Sequence, residues 1–215
     1  MILNLLPVAV CLLALALLLV AERFDHRAGQ AVAKLGASSA FVWAALVWGV
    51  GQTIFGQWIL AGLALCWLGD ALLLARGRGV GFQLGIGAFT LAHLCYAMAC
   101  TRLPLDTAAA LAGAALAGLG AWRALRWLGP HLPGDFRIPV RVYVGVISSM
   151  LVLAAAAVAG GAPALLGVGA LGFALSDLSV ARERFVSPGF VNVAWGLPAY
   201  FLSQLAIAWA AAHAV

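Results

Sequence analysis

Eight long apolar runs follow one another along this chain with little between them. Each is close to the roughly 20 residues that an α-helix needs to cross a bilayer. The predicted spans lie near residues 2–21, 35–50, 57–75, 82–101, 105–122, 142–160, 163–181 and 189–212. The composition agrees, because 65% of the residues are hydrophobic, only 9% are charged and the mean hydropathy is +1.08. We therefore predict an all-α polytopic membrane bundle, with one transmembrane domain over residues 1–215 and no room for a soluble domain.

The basic residues predict how this bundle is oriented. Eleven of the twelve lie at alternate connections, namely Arg23, Arg27, Lys34, Arg76, Arg78, Arg123, Arg126, Arg137, Arg141, Arg182 and Arg184. Only Arg102 lies on the other side, so we expect cytoplasmic basic loops and both termini outside. No Lys or Arg precedes the first run, so we expect a retained span and not a signal peptide. The net charge of +5 then indicates contact with anionic lipid headgroups and not with nucleic acid.

The excess of arginine over lysine, eleven to one, also bears on where the protein resides. Together with abundant alanine, it is typical of a GC-rich bacterial genome. We therefore expect an inner (plasma) membrane.

Two of the spans carry a carboxylate near their predicted cytoplasmic ends. The stretch "LGDALLLARGR" holds Asp70 and the stretch "LSDLSVARER" holds Asp177. Each aspartate lies four or five residues before the end of its span, about 6–8 Å inside it at 1.5 Å per residue. A charged group costs at least a few kcal/mol at such a depth, so it faces the bundle interior and marks function. The alternative is that the two aspartates only neutralise Lys34 and Arg141.

The two aspartates are 107 residues apart, and the same offset pairs other polar residues. It matches Lys34 with Arg141 and His93 with Tyr200. Four predicted helices separate the partners, so both members of a pair run the same way through the membrane. The pattern suggests a parallel duplication with half-repeats 1–104 and 105–215.

Two further spans carry polar residues at helical spacing. The stripe on the fourth span comprises Phe89, His93, Tyr96 and Cys100, and the stripe on the eighth comprises Asn192, Gly196, Tyr200 and Gln204. His93 lies about 16 Å along its span at 1.5 Å per residue, where a polar group without a partner is costly. We expect both stripes to face the interior and to line one polar pocket.

At these residues the sequence resembles the YhhN-type lysoplasmalogenase family of multi-pass membrane proteins. The resemblance lies in "LGDALLL", "GAFTLAHLCY", "GFALSD" and "WGLPAYFLSQ", with Lys34 where the family carries a lysine. These landmarks cover most of the chain from 34 to 204, and their order and spacing are more specific than any one of them. The resemblance implies hydrolysis of the vinyl ether of a lysoplasmalogen, which is a lysophospholipid, to a fatty aldehyde and a glycerophospho-base.

This chemistry suits the residues. Vinyl ether hydrolysis needs an acid that protonates carbon and an anion beside the resulting oxocarbenium ion, and two carboxylates in a low-dielectric site can divide those roles. We predict that Asp70 and Asp177 are that pair, without assigning which of them is the acid. His93 is a further catalytic candidate. The predicted substrate-binding residues are Lys34, Tyr96, Arg141, Asn192, Tyr200 and Gln204. Of these, the two cations would hold the lipid phosphate.

Three other classes of protein would require different residues or use the same ones differently. A serine lipase needs a G-x-S-x-G motif, which the chain lacks. A zinc hydrolase needs three or four ligands, and of the four histidines only His93 lies at membrane depth, so we predict no metal and no cofactor. A small proton-coupled transporter or lipid carrier using the same aspartates is the remaining alternative.

Overall fold

The structure, a computed structural model, describes residues 2–75 and 77–214, and the side chains of residues 5–75 and 77–214. Within these ranges the chain forms eight long α-helices and no strand. They are α1 (Ile2–Arg23), α2 (Arg27–Val47), α3 (Ile54–Leu72), α4 (Val80–Cys100), α5 (Thr107–Leu128), α6 (Arg137–Ala159), α7 (Ala164–Ala181) and α8 (Phe190–His213). All eight are long and apolar enough to cross a membrane. The predicted all-α bundle of eight spans is confirmed, while Arg76, one of the counted cations, lies outside the described residues.

Several helices extend beyond the apolar runs that predicted them. Helix α2 begins at Arg27 and not at residue 35, because the Nδ1 atom of His26 accepts a hydrogen bond from the Gly29 backbone N–H at 3.0 Å and so caps the first turn. Helix α6 likewise begins at Arg137 and not at residue 142. The predicted starts of these helices followed the first apolar residues, whereas the helical hydrogen bonding already begins in the polar turn before them. Lys34 therefore lies inside α2 and not at its start.

Consecutive helices pair along the chain, α1 with α2, α3 with α4, α5 with α6 and α7 with α8. Short connections make each pair antiparallel, so α1, α3, α5 and α7 all end at one end of the bundle, which we call the basic end. Helices α2, α3 and α4 also pack against α8 or α6, which draws the polar stripes toward one centre. Helix α5 stands at the periphery against α6, and Leu128 is its one buried residue.

Glycines let the helices that carry the site approach closely. A methyl group at Gly62 of α3 would overlap the ring of Tyr96 on α4. A methyl group at Gly196 of α8 would overlap the side chain of Ser179 on α7. Such small-residue contacts are typical of close helix packing in membranes. They fix the distance between the elements that hold the polar side chains described below.

Candidate active site

A cavity of about 1110 Å³ opens among the helices, and eight charged residues at the basic end line it. Its polar lining residues are Glu22, Asp25, Gln30, Lys34, Asp70, Arg78, Tyr143, Ser148, Ser176, Asp177, Ser179, Glu183, Arg184, Asn192 and Tyr200. Both predicted aspartates therefore face the same space. Away from the basic end the cavity continues as an apolar arm between α5, α6 and α7.

Three donors converge on the carboxylate of Asp70. Lys34 Nζ lies 3.3 Å from its Oδ1 atom, and the hydroxyl groups of Ser38 and Tyr200 donate to its Oδ2 atom at 2.5 and 2.8 Å. Lys34 and Ser38 share a face of α2 because they are four residues apart. Asp70 is only 2% exposed, and burial disfavours its charge, but the adjacent ammonium group neutralises it. The ammonium group and the two hydroxyl donors all favour the ionised carboxylate and hold it firmly in place.

Asp177 has different neighbours, and the main one is His93. The Nε2 atom of His93 lies 3.3 Å from Asp177 Oδ2, and neither atom has a hydrogen-bond partner among the described residues. The imidazole is fully buried and stacks on Phe173 at a centroid distance of 4.1 Å. The side chain of Asp177 is 15% exposed and lines the cavity, so the carboxylate stands between the histidine and the cavity.

Hydrogen bonding fixes which nitrogen of His93 carries hydrogen. Its Nδ1 atom is 2.7 Å from the carbonyl oxygen of Phe89, and since a carbonyl can only accept, Nδ1 must donate. The Nε2 atom of a neutral ring is then an acceptor, and it faces a carboxylate oxygen. Two acceptors at this distance repel unless they share a proton, either on the imidazole or on Asp177. The geometry therefore suits a pair that shares one proton at the cavity wall.

The sequence interpretation missed two residues of this site. Tyr143 lines the cavity together with Asp177 and meets His93 edge-on at a centroid distance of 5.4 Å. Ser38 completes the shell of Asp70. The chain has three tyrosines, and all of them lie in this region. A tyrosine within a predicted span was therefore the sequence signal that could have identified Tyr143. For Ser38 the signal was its spacing of four residues from Lys34.

A second polar network lies deeper, behind the cavity wall. The Tyr96 hydroxyl donates to Gln204 Oε1 at 2.6 Å and lies 3.8 Å from the sulfur of Cys66. All three side chains are buried, and the Nε2 group of Gln204 has no partner among the described residues. Tyr96 and Gln204 were predicted to bind substrate, but the structure places them beneath the cavity, in contact with each other.

The remaining predicted residues fall in different places. Asn192 is buried at the cavity wall, where it accepts from Arg182 and donates to Glu183 Oε2 at 2.6 Å. Arg141 is exposed and is not among the described residues that line the cavity, because α6 turns it away from the side that carries Tyr143. It does not approach Asp177, so neutralisation by Arg141 does not explain that aspartate.

Within residues 2–75 and 77–214, no three His, Cys, Asp or Glu side chains converge in a way that could hold a metal ion. Metal independence stays a prediction, and solution experiments must test it.

Comparison with known proteins places the chain among its relatives. The sequence model of the YhhN family matches residues 7–211, which include every site residue named above. The chain belongs to the YhhN family. No solved structure matches it.

Curated relatives of this YhhN-family protein come from animals and bacteria. It is 33% identical over 159 residues to lysoplasmalogenase TMEM86A of Bos taurus, a match that covers 71% of this chain and 64% of the bovine protein. The human protein of the same name matches equally, with 33% identity over 159 residues. A lysoplasmalogenase of Mycobacterium tuberculosis is 36% identical over 138 residues, which cover 60% of this chain and 51% of that protein. The chain thus spans less than two thirds of the length of the curated relatives it matches.

Proposed function

We propose that this protein hydrolyses the vinyl ether bond of lysoplasmalogens, releasing a fatty aldehyde and a glycerophospho-base. Relatives that carry the name lysoplasmalogenase support the substrate class. The observation that carries the proposal is that two aspartates line one cavity with opposite partners. Asp70 is held by Lys34 and two hydroxyl donors, whereas Asp177 lies 3.3 Å from His93 Nε2, close enough to share a proton with it. A proton donor and a fixed anion are the two groups that this reaction requires.

The first step is proton transfer to carbon. Asp177, which borders the cavity, delivers the shared proton to the β-carbon of the vinyl ether, and the carbon–carbon double bond supplies the electron pair for the new C–H bond. The α-carbon and ether oxygen become an oxocarbenium ion. The Asp70 carboxylate stabilises this positive charge electrostatically, and it needs no rearrangement because its three donors already fix it.

Water then completes the reaction. Its oxygen bonds to the α-carbon of the oxocarbenium ion and gives a hemiacetal, while the released proton returns to the Asp177–His93 pair. In the collapse of the hemiacetal, the bond between the α-carbon and the ether oxygen breaks, and the proton of the hemiacetal hydroxyl moves to the leaving oxygen. The products are the fatty aldehyde and the free hydroxyl of the glycerophospho-base, so the enzyme ends in its starting protonation state. Tyr143 and Tyr200, whose hydroxyl groups border the cavity beside the two aspartates, position the water.

The charged end of the cavity suits the polar headgroup. Lys34 and Arg78 both line it near the basic end, where they can balance a phosphate. Arg78 takes the phosphate role that the sequence suggested for Arg141, since Arg141 does not face this space. The headgroup would then lie toward the basic end and the hydrocarbon chain toward the apolar arm.

The test is aldehyde release by the purified protein from a lysoplasmalogen and from its saturated-ether analogue. We expect aldehyde from the vinyl ether alone, because only a double bond can accept the proton. We expect unchanged rates in the presence of a chelator. Equal cleavage of both lipids would contradict acid-catalysed vinyl ether chemistry. Activity lost in chelator and restored by zinc would contradict the metal-free mechanism.

A further inference from the structure

The apolar arm of the cavity opens through the side of the bundle. Leu116 of α5 lines the cavity and is also 72% exposed at the protein surface. Leu171 of α7 lines it as well and is 54% exposed. Both leucines lie near the middle of their helices, far from either end. In a membrane that level is hydrocarbon, so the opening between α5 and α7 faces lipid tails and not water.

Helix α5 presents one continuous face to this arm. The residues of that face lie 3, 4, 7, 8 and 11 positions after the first, as helical periodicity requires, and comprise Gly113, Leu116, Ala117, Gly120, Ala121 and Ala124. From the first to the last they extend about 16 Å at 1.5 Å per residue. Helix α6 supplies Ile147 and Leu151, and α7 supplies Gly167 and Leu171. The arm is thus a groove with apolar walls from three helices.

The groove is chemically suited to hydrocarbon. The one hydroxyl group within it belongs to Ser148, and it donates to the Val144 carbonyl oxygen of its own helix at 2.8 Å. At its inner end the groove runs without interruption into the space lined by Tyr143 and Asp177. A chain lying in the groove would therefore bring the group attached to it directly to the two aspartates.

We propose that the groove between α5, α6 and α7 binds the alkenyl chain of the substrate and that lipid enters it laterally, from the bilayer, between α5 and α7. The identity of the lipid rests on the proposed function, whereas the presence of a hydrocarbon chain in the groove does not. Gly120 lies on the groove face of α5. Within the described residues, and leaving aside its chain neighbours and the backbone of its own helix, no atom lies within 4 Å of where its Cβ would be, and the same holds for Gly118 on the same helix. Only Gly120 lines the cavity, so the two form a matched pair.

The kinetic test compares Gly120→Trp with Gly118→Trp on two vinyl ethers, one with an octadecenyl chain and one with a butenyl chain. An indole at position 120 would fill the groove beyond the first few carbons. We expect Gly120→Trp to lower kcat/KM for the octadecenyl substrate by about tenfold or more, the range seen when a hydrophobic pocket loses its fit. The butenyl substrate should keep its rate, since neither aspartate is altered. Gly118→Trp should change neither rate; equal losses in both variants, or a loss independent of chain length, would overturn the proposal.

A binding test separates the groove from the chemistry. The probe is a saturated-ether lysophospholipid with a photoreactive diazirine at the end of its chain, and crosslinked peptides are identified by mass spectrometry. We expect adducts on the groove faces of α5, α6 and α7 in the wild-type protein and in Gly118→Trp, and few in Gly120→Trp. Adducts spread evenly over the lipid-facing surface, or equal in the two variants, would contradict the proposal.

The remaining outcomes are also decisive. If the wild-type protein releases aldehyde from neither substrate, the proposed function fails, and the crosslinking result alone decides whether the groove binds a chain. If Gly120→Trp dissociates an oligomer while turnover and crosslinking are unaffected, the groove is an interface between copies of the chain and the proposal is wrong.

Discussion

At the scale of single residues, the two aspartates are the same functional group with different neighbours. Asp70 is bonded by an ammonium group and two hydroxyl groups, whereas Asp177 lies 3.3 Å from a histidine whose other nitrogen is fixed by a backbone carbonyl. In the proposed mechanism that difference divides their roles, because a firmly held anion is a poor proton donor and a carboxyl group that can share a proton is a good one. His93 is not among the described residues that line the cavity, so in that mechanism it acts on the substrate only through Asp177.

The role of His93 can be tested by its replacement. We expect His93→Gln to lower kcat by about 10²–10⁴, the usual cost of impairing general acid catalysis, because glutamine holds no transferable proton beside Asp177. KM should change little, since the side chain does not border the cavity. The pH dependence of kcat should also change, because the proton donor would become a lone carboxyl group. A parallel fall in kcat and folded fraction, with an unchanged pH profile, would indicate a structural role only.

The ion pair of Lys34 and Asp70 predicts a pattern of rescue. Lys34→Met leaves a buried carboxylate without its cation, and we expect a loss of about 3–5 kcal/mol in stability, as when one partner of a buried pair is removed. Adding Asp70→Asn removes the unpaired charge and should restore most of the melting temperature but not the activity. Thermal unfolding of the wild-type, single and double variants in detergent measures the effect. Additive losses in the double variant would show that the two side chains do not interact.

At the scale of helices, close packing between α7 and α8 holds the two halves of the site together. A methyl group at Gly169 of α7 would lie 3.0 Å from the Ser203 carbonyl oxygen and 2.6 Å from Ile207 Cγ1. Because backbone would have to move, we expect Gly169→Ala to destabilise the protein by about 1–3 kcal/mol, as overpacking does. Gly87→Ala is the control, since no atom among the described residues, apart from its chain neighbours and the backbone of its own helix, lies within 4 Å of its Cβ position. Equal melting temperatures for both variants would contradict this packing.

Regular patterns made much of the fold and of the site predictable from sequence. The eight spans and both polar stripes follow from apolar length and helical spacing, and the stripes are buried as expected. The start of α2 was misplaced because its first turn is polar and a histidine cap initiates it. The partner of Asp177 was not predictable, because spacing along one helix says nothing about which neighbouring helix a side chain meets. For the same reason Tyr143 was missed and Arg141 was included.

At the scale of the whole molecule, the charge asymmetry predicts one orientation in the membrane. Arg126 lies near the end of α5, at the basic end, and is exposed. We expect an Arg126→Cys variant in intact cells to resist a membrane-impermeant maleimide and to react once the cells are opened, because basic ends face the cytoplasm. The parent protein, treated identically, controls for the native cysteines. Labelling in intact cells would show that the orientation is the opposite one and that the site lies at the other face of the membrane.

The cavity acts as a unit in the proposed mechanism, and turnover per folded molecule by aspartate variants tests that most directly. We expect Asp70→Asn and Asp177→Asn each to lower vinyl ether hydrolysis by at least about 10²-fold, and the double variant to be scarcely worse than the single variants, because groups that act together are not additive. Monodispersity and melting temperature define the folded fraction. Near-normal turnover by both well-folded single variants would contradict the mechanism and leave the two aspartates a structural role.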